Sequence, residues 1–103
     1  MNLNKLMKQA QKMQEKMTQA QAELEEKTVE VQAAGGKVTV IANAAGDVIS
    51  IKIAKEIVDP EDVEFLEEAV LSGVNQAIEQ GKAIATSEMS KITGGMGVAG
   101  LGL

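Results

Sequence analysis

"TVEVQAAGGKVTVIANAAGDVISIKIA", residues 28–54, decides the fold. Val29, Val31 and Ala33 alternate with Glu30 and Gln32; Val38, Val40 and Ala42 alternate with Thr39, Ile41 and Asn43; Ile49, Ile51 and Ile53 alternate with Ser50 and Lys52. A period of two places apolar side chains on one face of a half-buried strand. Gly35-Gly36 can supply the positive φ of a tight hairpin, and "NAAGD" with Gly46 makes a second turn. Connections this short join antiparallel neighbours, so residues 28–54 are expected to form a three-stranded meander with one apolar face.

On both sides of this segment the period changes. Leu3, Leu6, Ala10, Met13, Met17, Ala20 and Leu24 recur at alternating steps of three and four, and no Gly or Pro occurs before Gly35. That is a heptad seam on a helix spanning 3–26. After the meander, Asp59 as N-cap and Pro60 at the first position are expected to open a second helix over 60–92. Its stripe is Val63, Leu66, Val70, Gly73, Val74, Ala77, Gly81 and Ile84, wide enough to lie on a sheet. Gly73, Ala77 and Gly81, spaced four apart on that stripe, allow close backbone approach. The expected architecture is α+β: helix, three-stranded antiparallel meander, helix, in two layers, as one domain over 1–93. A Gly-rich tail at 94–103 is expected to be flexible.

Composition narrows the chemistry. A chain of 103 residues suits one small core. Cysteine and histidine are both absent, which removes thiolate and imidazole ligands, the usual neutral-pH base and the common nucleophilic pairs. Catalysis is not expected, and neither a cofactor, a metal nor a small-molecule substrate is implied. All ten basic residues are lysine, and Phe65 is the one aromatic residue. Without arginine forks for guanine edges or rings on which bases could stack, a nucleic-acid partner would have to be held by its phosphates. No apolar run reaches the eighteen or so residues of a membrane span, and the start lacks a signal-peptide core. Membrane association is not expected either, because the narrow seam lacks aromatic anchors. The expected compartment is the cytoplasm.

Two patterns have ordinary explanations. "GMGVAG" at 95–100 fits G-x-G-x-x-G, but neither the strand before it nor the helix after it is available, so the match is chance. Seven acids between Glu56 and Glu68 fall mostly at a helix start, where the dipole favours them. Lys5, Lys8, Lys12 and Lys16 are different. At about 100° per residue they fill an arc of roughly 80°, about 120° from the seam, and only Glu15 offsets them among the first 22 residues. A solvated helix face reads the same way. Length adds a constraint: a 24-residue helix is about 36 Å long, whereas these strands span about 20 Å. About 15 Å of helix should project at one end, its seam uncovered unless another copy pairs with it through Leu3, Leu6, Ala10, Met13 and Met17. Which end projects is open at this point. A coiled-coil interaction module that does not bind DNA is the competing expectation.

The succession "LMKQAQKMQEKM", "EKTVEVQAAGGKVTV", "DVISIKIAKEIVDPEDVEFLEEAVLSGVNQAI" and "TGGM" resembles the YbaB/EbfC family of bacterial nucleoid-associated proteins, over nearly the whole chain. The resemblance implies a tweezer-like homodimer that binds double-stranded DNA with little sequence preference, located in the nucleoid. It also implies DNA contacts on the helical arms, here Lys5, Lys8, Lys12 and Lys16, with Lys82 and Lys91 on the late second helix. The ending "GMGVAGLGL" departs from the proline-containing tail common in that family.

Overall fold

The computed structural model describes residues 2–93. In chain order it contains α1 (Leu3–Glu26), β1 (Thr28–Ala33), β2 (Val38–Asn43), β3 (Val48–Ile53), a single 3-10 turn (Lys55–Ile57) and α2 (Val63–Thr93). The strands form one antiparallel sheet in the order β1-β2-β3, an α+β meander as the period-two segment requires. The Gly-rich tail and its G-x-G-x-x-G match lie outside the described residues.

Register sets the core. Val31 faces Val40 and Ala33 faces Val38 across β1 and β2, and Val38 and Val40 face Ile53 and Ile51 across β2 and β3. Val31, Ala33, Val38, Val40 and Ala42 are buried with Ala69 and Ala77 of α2. The glycines expected to permit close approach do so. A Cβ on Gly73 would stand 2.9 Å from Val40 Cγ2, and one on Gly81 would stand 2.6 Å from the Asn43 carbonyl oxygen. Both distances are too short for any real side chain, so α2 rests on the sheet by its backbone.

The turns hold the layers in place. In the first hairpin Ala34 joins Gly35 and Gly36 at positive φ, a conformation the sequence signalled only at the glycines. In the second, buried Asn43 is the organiser: its Oδ1 accepts from the Asp47 N–H at 2.9 Å and its Nδ2 donates to the Glu25 carbonyl at 3.3 Å. The Ala44 N–H donates to the Leu24 and Lys27 carbonyls at 3.1 and 2.9 Å, tying the end of α1 to the same turn.

The second helix starts later than the Asp-Pro signal suggested. Asp59 accepts from the Glu61 N–H at 2.9 Å, and the Asp62 N–H donates to the Asp59 carbonyl at 2.9 Å, so Asp59-Pro60-Glu61-Asp62 closes a separate turn. Asp62 then accepts from the Phe65 N–H at 3.4 Å and takes the capping position, leaving Val63 as the first helical residue.

Candidate nucleic-acid interface

The N-terminal end of α1 is the end that projects. Of its seam only Ala20 and Leu24 are buried, while Met13 is half-buried and Leu3, Leu6, Ala10 and Met17 are exposed. Glu88, Lys91 and Ile92 of α2 line a groove with Lys16, Gln19, Ala20 and Glu23, so the two helices run antiparallel as one arm. Beyond this pairing Leu3–Lys12 stands alone, every residue exposed, over about 15 Å. The described molecule is accordingly long, with extents of 71 × 25 × 16 Å.

Lys5, Lys8, Lys12 and Lys16 are all exposed, and among the described residues none of the four forms an ion pair. Their placement opposes helix stability. Asn2 caps α1 by accepting from the Asn4 and Lys5 N–H groups at 3.0 and 3.4 Å, but the first turn holds no acid and the last turn no base. Lys5 therefore sits in the first turn, where the helix dipole is positive, and Glu25 and Glu26 in the last, where it is negative, each at a cost of about 0.3–1 kcal/mol. An anion at the first turn would relieve the conflict at Lys5, because that ammonium and the dipole attract the same charge.

The later lysines divide. Lys91 borders the arm groove with Lys16, Glu23 and Glu88, and donates to Glu88 Oε1 at 3.5 Å. Lys82, nine residues earlier and so about half a turn around the helix, borders a hollow with Ala44, Gly46 and Ile78 at the β2–β3 turn. The structure does not bring it to the row. At the arm's base Lys27 pairs with Glu88 at 2.8 Å. That hydrogen bond lowers the Glu88 pKa; partial burial opposes it, and the charges of Lys27 and Lys91 reinforce it. The acids of Glu56–Glu68 cluster around the start of α2, at the opposite end of the molecule from the lysine row.

Sequence reasoning missed one surface. The face of β3 that points toward α2 is largely bare, with Ile49, Ile51 and Ile53 exposed by 54%, 42% and 40%. Widths could have signalled it. Three strands about 4.8 Å apart outspan a single helix about 10 Å across, and α2 sits over β1 and β2.

The fold is thus a small two-layer α+β body from which one helix projects, carrying four exposed lysines that form no ion pair among the described residues. The sequence profile of the YbaB/EbfC DNA-binding family matches residues 1–96, and the chain belongs to that family. It is 48% identical over 100 residues to a nucleoid-associated protein of Clostridium kluyveri, covering 97% of this chain and 88% of that one. It is 51% identical over 96 residues to a nucleoid-associated protein of Ruminiclostridium cellulolyticum, covering 93% and 84%. The fold also matches the crystal structure of an uncharacterized protein from Helicobacter pylori with a TM-score of 0.80 at 17% identity, covering 89% of this chain and 97% of that one.

Proposed function

We propose that the chain is a nucleoid-associated protein of the bacterial cytoplasm that holds double-stranded DNA as a homodimer, through lysine–phosphate contacts and with little regard to sequence. The observation that carries this reading is the row Lys5, Lys8, Lys12 and Lys16, without an ion pair among the described residues, on a helix end that stands clear of the body. Lys91 extends the row at the arm's base, and Lys82 has the weaker claim of the two. The seam Leu3, Leu6, Ala10, Met13 and Met17 supports contact between copies along the arms, since water otherwise meets Leu3 over 69% of its surface.

The charge balance sets how such binding behaves. Each chain carries −5, so DNA is repelled at long range and attracted only where the arm reaches it. Point-charge ammonium groups grip phosphate without reading base edges, which matches a complement of lysine with no arginine. The same bare seam also favours a second reading, a coiled-coil module that recruits another helix and leaves DNA alone. Replacing Lys5, Lys8, Lys12 and Lys16 together with alanine separates the two. The variant is expected to keep its self-association and lose its gel shift on random duplex; undiminished binding removes the row from the mechanism.

A further inference from the structure

We propose that Glu88 is a built-in brake on the arm: its carboxylate occupies Lys27 and Lys91, whose ammonium groups otherwise form a further phosphate seat at the arm's base. This rests on the DNA reading above and is independent of how copies associate.

The lysine row leads somewhere. At about 100° per residue, Gln19 and Glu23 fall in the same arc of α1 as Lys8, Lys12 and Lys16. The ridge therefore runs straight into the groove that Lys16, Gln19 and Glu23 form with Glu88, Lys91 and Ile92. A polyanion that follows the row toward the body enters this groove and meets two carboxylates, Glu23 and Glu88. They differ in what they hold. Glu23 forms no ion pair among the described residues, whereas Glu88 Oε1 lies 2.8 Å from Lys27 Nζ and 3.5 Å from Lys91 Nζ. One oxygen thus gathers a lysine that follows the end of α1 and a lysine in the last turn of α2.

Two ammonium groups on one carboxylate leave a surplus of positive charge. A phosphodiester carries the same single negative charge over two free oxygens, so it can stand where the carboxylate stands. The exchange is open to solvent, since the Lys27, Glu88 and Lys91 side chains are exposed by 39%, 25% and 70%, and ion pairs in such positions are weak. It is not free. Once displaced, Glu88 faces a polyanion of its own sign and draws a cation from solution, which cancels part of the counterion release that drives binding. Removing this carboxylate should therefore tighten DNA binding and steepen its dependence on salt.

Full-length Glu88→Gln keeps the size of the side chain and removes its charge. In titrations of random duplex, at a temperature where circular dichroism shows it folded, it should bind more tightly than the parent. The ratio of the two affinities should widen by about 3.5-fold per further ion released when salt falls fourfold, at about −0.9 per ion on the log–log slope. Glu23→Gln takes a charge from the same groove without freeing a lysine, and should tighten binding less. Adding Lys27→Ala and Lys91→Ala to Glu88→Gln should return affinity to about the parent's. Thermal melts of Glu88→Gln should nonetheless lie below the parent's at neutral pH, a pairing of lower stability with tighter binding that a merely structural tie would not give. Unchanged or weaker binding by the folded variant, equal gains from Glu88→Gln and Glu23→Gln, or a gain that survives loss of both lysines would each overturn the proposal. A parent that gives no gel shift defeats the DNA reading and this one with it; a parent that shifts without a gain in Glu88→Gln defeats this one alone.

Discussion

Gly81→Ala tests whether α2 really crosses the β2–β3 turn at backbone contact. In an open helix the change stabilises, by about 1 kcal/mol of helix propensity. Here the new methyl group would meet the Asn43 carbonyl oxygen at 2.6 Å, its carbon at 3.3 Å and Ala44 Cα at 3.5 Å. These are backbone atoms, and the turn is fixed from several sides. The Asn43 N–H donates to the Asp47 carbonyl at 2.9 Å, and the Asn43 carbonyl accepts from the Gly46 N–H at 3.2 Å. The turn cannot retreat without stretching these bonds, so the cost belongs near the upper end of the roughly 1–3 kcal/mol seen for overpacking. The net loss is about 2 kcal/mol, taking 3 for the clash and 1 for the propensity gain. Urea denaturation at one fixed protein concentration should show a lower midpoint at an unchanged slope. Ala83→Gly, on the exposed side of α2, calibrates the propensity term. A Gly81→Ala protein about 1 kcal/mol more stable than its parent would show propensity acting alone and refute the close crossing.

Two further perturbations probe the joint between arm and body. Asn43→Ala leaves the Asp47 N–H and the Glu25 carbonyl without their side-chain partner in a buried turn, and should cost about 1–3 kcal/mol in the same denaturation assay; an effect below about 0.5 would deny Asn43 its organising role. Glu88→Gln removes a carboxylate whose pKa Lys27 holds down, so the ionised form favours the folded state at neutral pH, and that contribution disappears as pH falls through the folded-state value. Thermal melts should show the variant less stable than the parent at neutral pH, with the gap closing below the ordinary glutamate range; a gap that widens in acid would contradict this sign.

Local signals carried most of the fold. Alternation at Val29–Ala33, Val38–Ala42 and Ile49–Ile53 placed three strands that the structure contains, and the seam from Leu3 to Leu24 placed α1. Gly73 and Gly81 were readable as approach points because nothing else explains glycine on an apolar helix stripe. Tertiary choices were less visible. Asp59-Pro60 and Asp62 are both competent caps, and only the hydrogen bonds show that the first closes a turn while the second starts the helix. The projecting end of α1 depends on Leu24 docking at the Asn43 turn, a long-range contact that no periodicity encodes. For the candidate site the lysine row was legible as a ridge, but its freedom from ion pairs and its separation from the acids of α2 emerged with the fold. The bare face of β3 was hidden because alternation identifies an inward face without saying whether anything covers it.

The most direct test of the central claim is a titration of random-sequence duplex at several ionic strengths, on protein of known oligomeric state. Phosphate contacts release counterions, so log K should fall linearly against log salt, with a slope no steeper than about −7 if all eight arm lysines of a dimer engage at about −0.9 each. Removing Lys5, Lys8, Lys12 and Lys16 should flatten that slope. Affinity that stays constant from low to moderate salt, or an equal slope in the variant, would contradict a clamp built on the lysine arm.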